Sequence, residues 1–312
     1  MSNLAVCVNA VLPLFIIMGV GYLARRLGAI SRTDVPKLNK LAFRYFLPVM
    51  LYYNIYTSDL SASVQARPIV FAAVSVLVLY ALSLGFIMLT QKSNAKRGVM
   101  IQGLYRSNFV IMGIPLAKEL VPGADLGCVV VLVAVVIPMF NVLAVITLEM
   151  FNGEKPSPGK LLLDIAKNPL IVGIAAGLLT VLLGIKLPTA IESAVKQIGN
   201  VGSPLMLFLL GAFFELKGIG DYKKELTTVC VGRLIVVPAI FLTSAVLFGL
   251  RGVELAAMIA IFGSPTAVSS FTMTQQMGGD DVLAGDIVVM TNALSSVTMF
   301  GWALALKSMG LF

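Results

Sequence analysis

The 312-residue sequence predicts an all-α polytopic membrane protein, with ten transmembrane helices arranged as a 5+5 inverted repeat and two of them broken and crossing in mid-membrane. Three observations lead there. The chain is 58% hydrophobic and only 12% charged, about half the charge of a soluble domain, and its mean hydropathy is +0.96. Its apolar residues come in blocks of roughly 20 without an amphipathic period, the length that crosses a bilayer. The Pro, Gly and Asn residues that interrupt those blocks recur in the same order in both halves of the chain.

The predicted spans are 4–23, 40–56, 69–90, 98–120, 126–150, 169–187, 198–214, 227–250, 253–277 and 282–306. Connections are short, so no extramembrane domain is expected. "NGEKPSPGK" (152–160) is a Pro/Gly/Lys linker between spans five and six. It divides the chain into a first repeat (1–151), a cytoplasmic linker (152–168) and a second repeat (169–312).

Orientation follows from the basic residues. The opening "MSNLAVCVNAVLPLFIIMGVGYLARRLG" has no basic residue before its apolar run and "ARR" after it. That order argues for a retained first span with its N-terminus outside, not a cleaved signal. Loops after the odd-numbered spans one to seven hold thirteen Lys and Arg, and loops after the even-numbered spans two to eight hold five. The first set is expected in the cytoplasm and both termini outside. Tyr52, Tyr53 and Tyr56 then sit at the outer end of span two, as an aromatic belt would. The net charge of +8 is read as these basic loops, with no nucleic-acid partner.

The repeat rests on four echoes. Pro13 and Pro169 are 156 residues apart, as are Pro48 and Pro204; Gly113-Ile114-Pro115 and Gly263-Ser264-Pro265 are 150 apart; Asn141 and Asn292 are 151 apart. Five spans per repeat is an odd number, so the second repeat must be inverted, and inverted repeats with paired interrupted helices are the pattern of secondary transporters.

The breaks in spans four and nine are the candidate site. Proline removes a backbone N–H and clashes with the preceding turn, while glycine eases unwinding. The freed polar groups are tolerated only against protein or a water-filled cavity. Helix N-termini aimed at a crossing of the two breaks would offer partial positive charge to an anion. Asn108, seven residues before Pro115, could place an amide beside the break, and span nine carries the more polar "GSPTAVSS" (263–270), with Thr266 directly after its Pro265. The alternative is a pair of simple proline kinks, with Asn108 bonded to a neighbouring helix.

Arg106 lies about eight residues inside span four. It could pair with an anionic substrate, stand where a coupling cation would bind, snorkel to the surface, or form an internal salt bridge. Arg44 and Arg233 lie nearer the cytoplasmic span ends and are expected to snorkel. Glu149, Glu215 and Asp286 fall near span ends, so no paired intramembrane carboxylate is expected to bind a proton or sodium. Sodium could still find oxygens at Asn141, Asn292, Ser270 or Gln275. Ser269 and Ser270 either line the site or bond their own helix backbone. No cofactor and no metal site is expected: the sequence has no His, and Cys7, Cys128 and Cys230 are far apart in apolar stretches. With no Gly-x-Ser-x-Gly either, an enzyme is disfavoured.

Several stretches carry a family resemblance. "NFVIMGIPL" (108–116) resembles the fourth span of the auxin efflux carrier family, which includes the plant PIN-type carriers and bacterial members; "LNKLAFRYFLPVMLYYNI" (38–55) resembles its second span. "KNPLIVG" (167–173) is similar to the Asn-Pro opening of its sixth, "GSPLMLFLLGAF" to its seventh, and "TNALSSVT" (291–298) to span ten of bacterial members. The resemblance covers essentially the whole chain. It implies a fold shared in outline with bile-acid symporters and sodium/proton antiporters. Spans one, two, six and seven would form a dimerising scaffold, and spans three to five and eight to ten a transport domain that carries substrate by an elevator motion. It also implies an organic-anion substrate, such as malate or malonate in bacteria, with Asn108 matching the Asn that contacts the substrate carboxylate. Leu170 stands where plant carriers place a second Asn, so an auxin-like aromatic ligand is not implied.

The expectation is therefore a secondary transporter of small organic anions, with carboxylates the expected class, in a bacterial plasma membrane. Its substrate site is expected at Asn108, Arg106, Gly113, Ile114, Pro115, Gly263, Ser264, Pro265, Thr266, Asn141 and Asn292. The alternatives are a sodium-coupled symporter of bile-acid type and, outside transport, a membrane sensor or scaffold subunit.

Overall fold

A computed structural model describes residues 3–57, 66–109, 117, 120–122, 127–152, 158–215 and 220–312. The described residues are almost entirely helical. The first is α1 (Asn3–Arg26); α2 (Val35–Leu41) then continues through a π-helical turn (Ala42–Phe46) into α3 (Leu47–Tyr56). Next come α4 (Ala66–Thr90), α5 (Asn94–Tyr105), α6 (Gly127–Phe151), α7 (Pro158–Lys167), α8 (Pro169–Leu182) and α9 (Thr189–Phe213). α10 (Lys223–Val231) passes through a second π turn (Gly232–Val236) into α11 (Val237–Leu247). α12 (Gly252–Met258) ends in a third π turn (Ile259–Gly263), and α13 (Ser269–Gln276) and α14 (Asp281–Ser308) complete the chain.

Local chemistry sets the ends. The Asn168 side chain accepts from the Leu170 amide at 3.0 Å with Pro169 at the first helical position, so α8 begins there. Asp280 accepts from the Leu283 amide at 3.0 Å and starts α14. Gly249, at φ +87°, closes α11, and the Leu250 amide reaches back to the Ala245 carbonyl at 3.0 Å. The π turns were not anticipated from the sequence. Two of them end two residues before a proline, Pro48 and Pro238, where the widened turn makes room for the ring and its missing N–H. The 152–168 segment, expected as a linker, contains α7.

Four stretches, 66–90, 127–151, 223–247 and 281–308, are long and apolar enough to cross a membrane. Large apolar side chains stand exposed along α1 (Leu12, Ile16, Val20, Leu23) and α4 (Val70, Val74, Val78, Leu82). Stripes of this extent face lipid or a partner, not water. With the helical content, they make this a multi-pass membrane protein.

Between helices, lipid offers no hydrophobic contrast, so close packing must hold them together. α1 and α9 meet through glycines: a Cβ at Gly21 would strike the Phe208 carbonyl, and one at Gly211 the Met18 carbonyl. On α8, a Cβ at Gly173 would come within 2.6 Å of the Pro48 carbonyl oxygen of α3. Thus α1, α2–α3, α8 and α9 pack as one group. A second group holds α4, α5, α6 and α10 to α14. The groups meet where α1 crosses α14, where α13 lies on α2 and α9, and where α6 touches α3 and α8.

Candidate functional site

The site is built where α5 and the π turn after α12 both end. α5 stops at Tyr105, and Arg106 is extended (φ −88°, ψ 118°). The other helix stops at Gly263, and Ser264 is likewise extended (φ −68°, ψ 153°). The two unwound stretches run side by side. The Asn108 amide donates to the Pro265 carbonyl at 2.8 Å, the Ala267 amide points to the Arg106 carbonyl at 3.4 Å, and Ser107 pairs with Thr266 as an isolated antiparallel bridge. Each broken backbone thereby satisfies part of the other, as a water-poor interior requires.

Arg233 completes the junction. Its side chain is fully buried. Nε donates to the Ser264 carbonyl at 2.8 Å and Nη2 to that of Ile261 at 2.7 Å; Nη1 reaches those of Leu104 and Tyr105 at 3.2 and 3.4 Å. One guanidinium thus binds the free carbonyl ends of both helices, where the helix dipoles are negative. Arg233 does not snorkel as its distance from the span end suggested. Arg44 is exposed, as expected.

Flanking helices brace each break. On α6, Asn141 Oδ1 accepts from Arg106 Nη2 at 2.6 Å. On α14, Asn292 Nδ2 donates to the Thr266 carbonyl at 3.2 Å, and Thr291 Oγ1 accepts from the Thr266 amide at 3.2 Å. The Thr266 hydroxyl caps the Gly103 carbonyl at 2.9 Å. Asn292 thus bonds the broken backbone of its own half, while Asn141, its counterpart by position in the sequence, bonds the Arg106 side chain beside the other break.

A cavity of about 230 Å³ opens against the first break, between the two helix groups. Arg106, Ser107, Asn108, Asn141 and Ser269 line one wall, and Asn54, Asn200, Ser203 and Met50 the other. Arg106 is 2% exposed, and among the described residues its guanidinium donates to neutral groups: Asn141 Oδ1, Ser269 Oγ at 2.8 Å, Gln102 Oε1 at 3.2 Å and Met273 Sδ at 2.8 Å. Among the described residues no carboxylate pairs with it. Asn108 Nδ2, also buried, has no acceptor among the described residues. A buried cation and a free amide donor on one cavity wall form a donor set without its acceptor.

The predicted residues distribute as follows. Arg106, Asn108 and Asn141 share the cavity wall; Ser264, Pro265, Thr266 and Asn292 form the crossing behind it, with Gly263 at the end of the helix that enters it. Gly113, Ile114 and Pro115 lie outside the described residues, while the described part of span four already unwinds at Arg106. Ser269 lines the cavity and Ser270 does not; Gln275 is engaged elsewhere, with Asn39 and Asp281. Arg233, Asn54, Asn200 and Ser203 were missed. The last three were visible only as polar residues inside spans two and seven.

Two broken helices that cross beside a polar cavity, in a bundle with lipid-facing stripes, define a membrane transport protein. The chain matches the family described as "Membrane transport protein" over residues 6–158 and 157–303 and belongs to that family, the auxin efflux carriers. It is 23% identical over 312 residues to a Rhizobium meliloti (strain 1021) protein named "Putative malonate transporter", covering 96% of this chain and 95% of that one. It is 22% identical over 281 residues to "Uncharacterized transporter YfdV" of Escherichia coli (strain K12), covering 86% of this chain and 88% of that one. Membership makes the chain a transporter and not an enzyme.

Proposed function

We propose that this protein is a secondary transporter of small organic anions, with short dicarboxylates such as malonate as the first substrates to test. The observation that carries the proposal is the Arg106–Asn108 pair: a buried guanidinium with no carboxylate, beside an amide with no acceptor, among the described residues, on a cavity of about 230 Å³. A carboxylate there would take charge-assisted bonds from both. The cavity is smaller than the roughly 300–1,000 Å³ typical of drug-sized ligands, which suits a small anion. The name of the Rhizobium relative points the same way.

The mechanism that fits is an elevator. The glycine-packed group of α1, α2–α3, α8 and α9 would be a scaffold, through which a homodimer would form. The group of α4 to α6 and α10 to α14 would carry the crossing and the anion across it. The cavity lies on the boundary between the groups, where such a motion alternates its access. The braces from Asn141 and Asn292 support a 5+5 inverted repeat, with ten spans when the undescribed part of span four is included. The membrane is taken to be a bacterial plasma membrane, with both termini outside.

The test is uptake of radiolabelled malonate into proteoliposomes. Saturable uptake that unlabelled dicarboxylates inhibit and malonamide does not is expected. Uptake indistinguishable from protein-free liposomes, across a panel of mono- and dicarboxylates, would overturn the reading.

A further inference from the structure

A second cavity lies between α4 and the α10–α11 helix. It encloses about 770 Å³ and is walled by apolar side chains, among them Leu79, Leu82, Phe86, Val231, Val236 and Ile240. Its floor is Leu104, at the end of α5, which fits there because Gly232 carries no side chain: a Cβ would meet Leu104 Cδ2 at 2.5 Å. Several wall residues, Leu82, Phe86, Val236 and Ile240, are also on the exposed, lipid-facing surface.

One end of this groove is polar. Lys223 and Lys224 stand there, and a second cavity of about 610 Å³ continues it past Lys224 and Thr228 to Gln91 and Lys92. The neighbouring Lys96 is neutralised by Glu225 at 2.7 Å. Among the described residues no carboxylate pairs with Lys92, Lys223 or Lys224, and all three are exposed.

We infer that this groove is a binding site for one anionic glycerophospholipid, its acyl chain lying along Leu79, Leu82, Val236 and Ile240 and its phosphate held by Lys92, Lys223 and Lys224. The charge and the apolar wall are complementary to the two ends of such a lipid, and neither suits a soluble ligand. A zwitterionic lipid would fill the groove but lack net charge to offer the lysines, and juxtamembrane lysines discriminate on that basis by about fivefold each. The chain would rest on Leu104, whose carbonyl Arg233 holds at 3.2 Å, so the lipid supports the base of the crossing.

The test is native mass spectrometry of the purified full chain, delipidated and then titrated with phosphatidylglycerol or phosphatidylcholine of the same chain length. The wild type should bind one phosphatidylglycerol with a preference of at least tenfold. Lys223→Gln/Lys224→Gln should weaken phosphatidylglycerol about 25-fold and cut the preference to the roughly fivefold that Lys92 alone supplies. The control Lys37→Gln/Lys40→Gln, with the same charge change elsewhere, should keep it, and Val231→Trp should exclude both lipids by filling the groove. Size-exclusion profiles matching the wild type establish that each variant is folded. Equal binding of the two lipids by the wild type, or an unchanged preference in the lysine variant, would overturn the inference. So would binding of inorganic phosphate that blocks the lipid, since that would make the lysines a free-anion site.

Discussion

The backbone amide of Asn108 donates to the carbonyl of Pro265 at 2.8 Å, joining the unwound parts of two helices that lie far apart in sequence. This bond fixes the Asn108 main chain and leaves its side-chain amide, without an acceptor among the described residues, on the cavity wall. The main chain builds the crossing and the side chain is left for the ligand.

Asn108→Ala should therefore spare the fold and weaken the anion. Losing one hydrogen bond to a charged group costs about 1.5–3 kcal/mol, so affinity should fall roughly 10- to 150-fold. Asn108→Asp should be worse, because its carboxylate opposes the anion and takes Arg106 for itself. Titration calorimetry on detergent-purified protein checks both; normal affinity in Asn108→Asp would remove Asn108 from the site.

Arg233 should behave in the opposite way, as a stability residue. Arg233→Met leaves four buried carbonyls without this donor, and each buried polar group left unsatisfied costs about 1–3 kcal/mol. Melting temperature and membrane yield should both drop sharply. Arg233→Lys should recover part of the loss, since an ammonium keeps the charge but not the planar fork. A wild-type melt for Arg233→Met would mean that the junction holds without it.

These residues also mark what was legible beforehand. Apolar length gave the long apolar helices at 66–90, 127–151, 223–247 and 281–308, because burial in lipid acts on composition alone. The span-nine break was read from Gly263-Ser264-Pro265, which disfavours helix in any context. In span four the described unwinding begins at Arg106, in "LYRSNF", where nothing local breaks a helix; it is stabilised by Pro265 and Ala267, so it was visible only once the two halves were together. Arg233 was misread for the same reason. Its position along the span suggested a surface residue, and its partners come from α5 and from the helix ending at Gly263.

Topology can be checked with single cysteines in a variant whose Cys7, Cys128 and Cys230 are serine. Ser93 lies between α4 and α5 and Ser308 ends α14; both are exposed. An impermeant maleimide should label Ser308→Cys on intact spheroplasts and Ser93→Cys only after permeabilisation. Labelling of both from outside would contradict the orientation drawn from the basic loops.

Uptake should not require sodium. The cation nearest the cavity is already supplied by Arg106, whose partners among the described residues are neutral, which leaves the anion as its counter-charge. Replacing sodium by choline in the proteoliposome buffers should change the initial rate less than twofold. A steep sodium dependence would favour a symporter of the bile-acid type instead.

The central claim is that Arg106 is the counter-charge of a bound carboxylate, and calorimetric titration of purified wild type and Arg106→Gln with malonate and malonamide tests it most directly. Truncating one partner of a buried charge pair costs about 2–5 kcal/mol, so Arg106→Gln should bind malonate at least about 30-fold more weakly than wild type, and malonamide should bind neither protein measurably. Equal malonate affinity in the two proteins, or malonamide binding as tightly as malonate, would contradict the account.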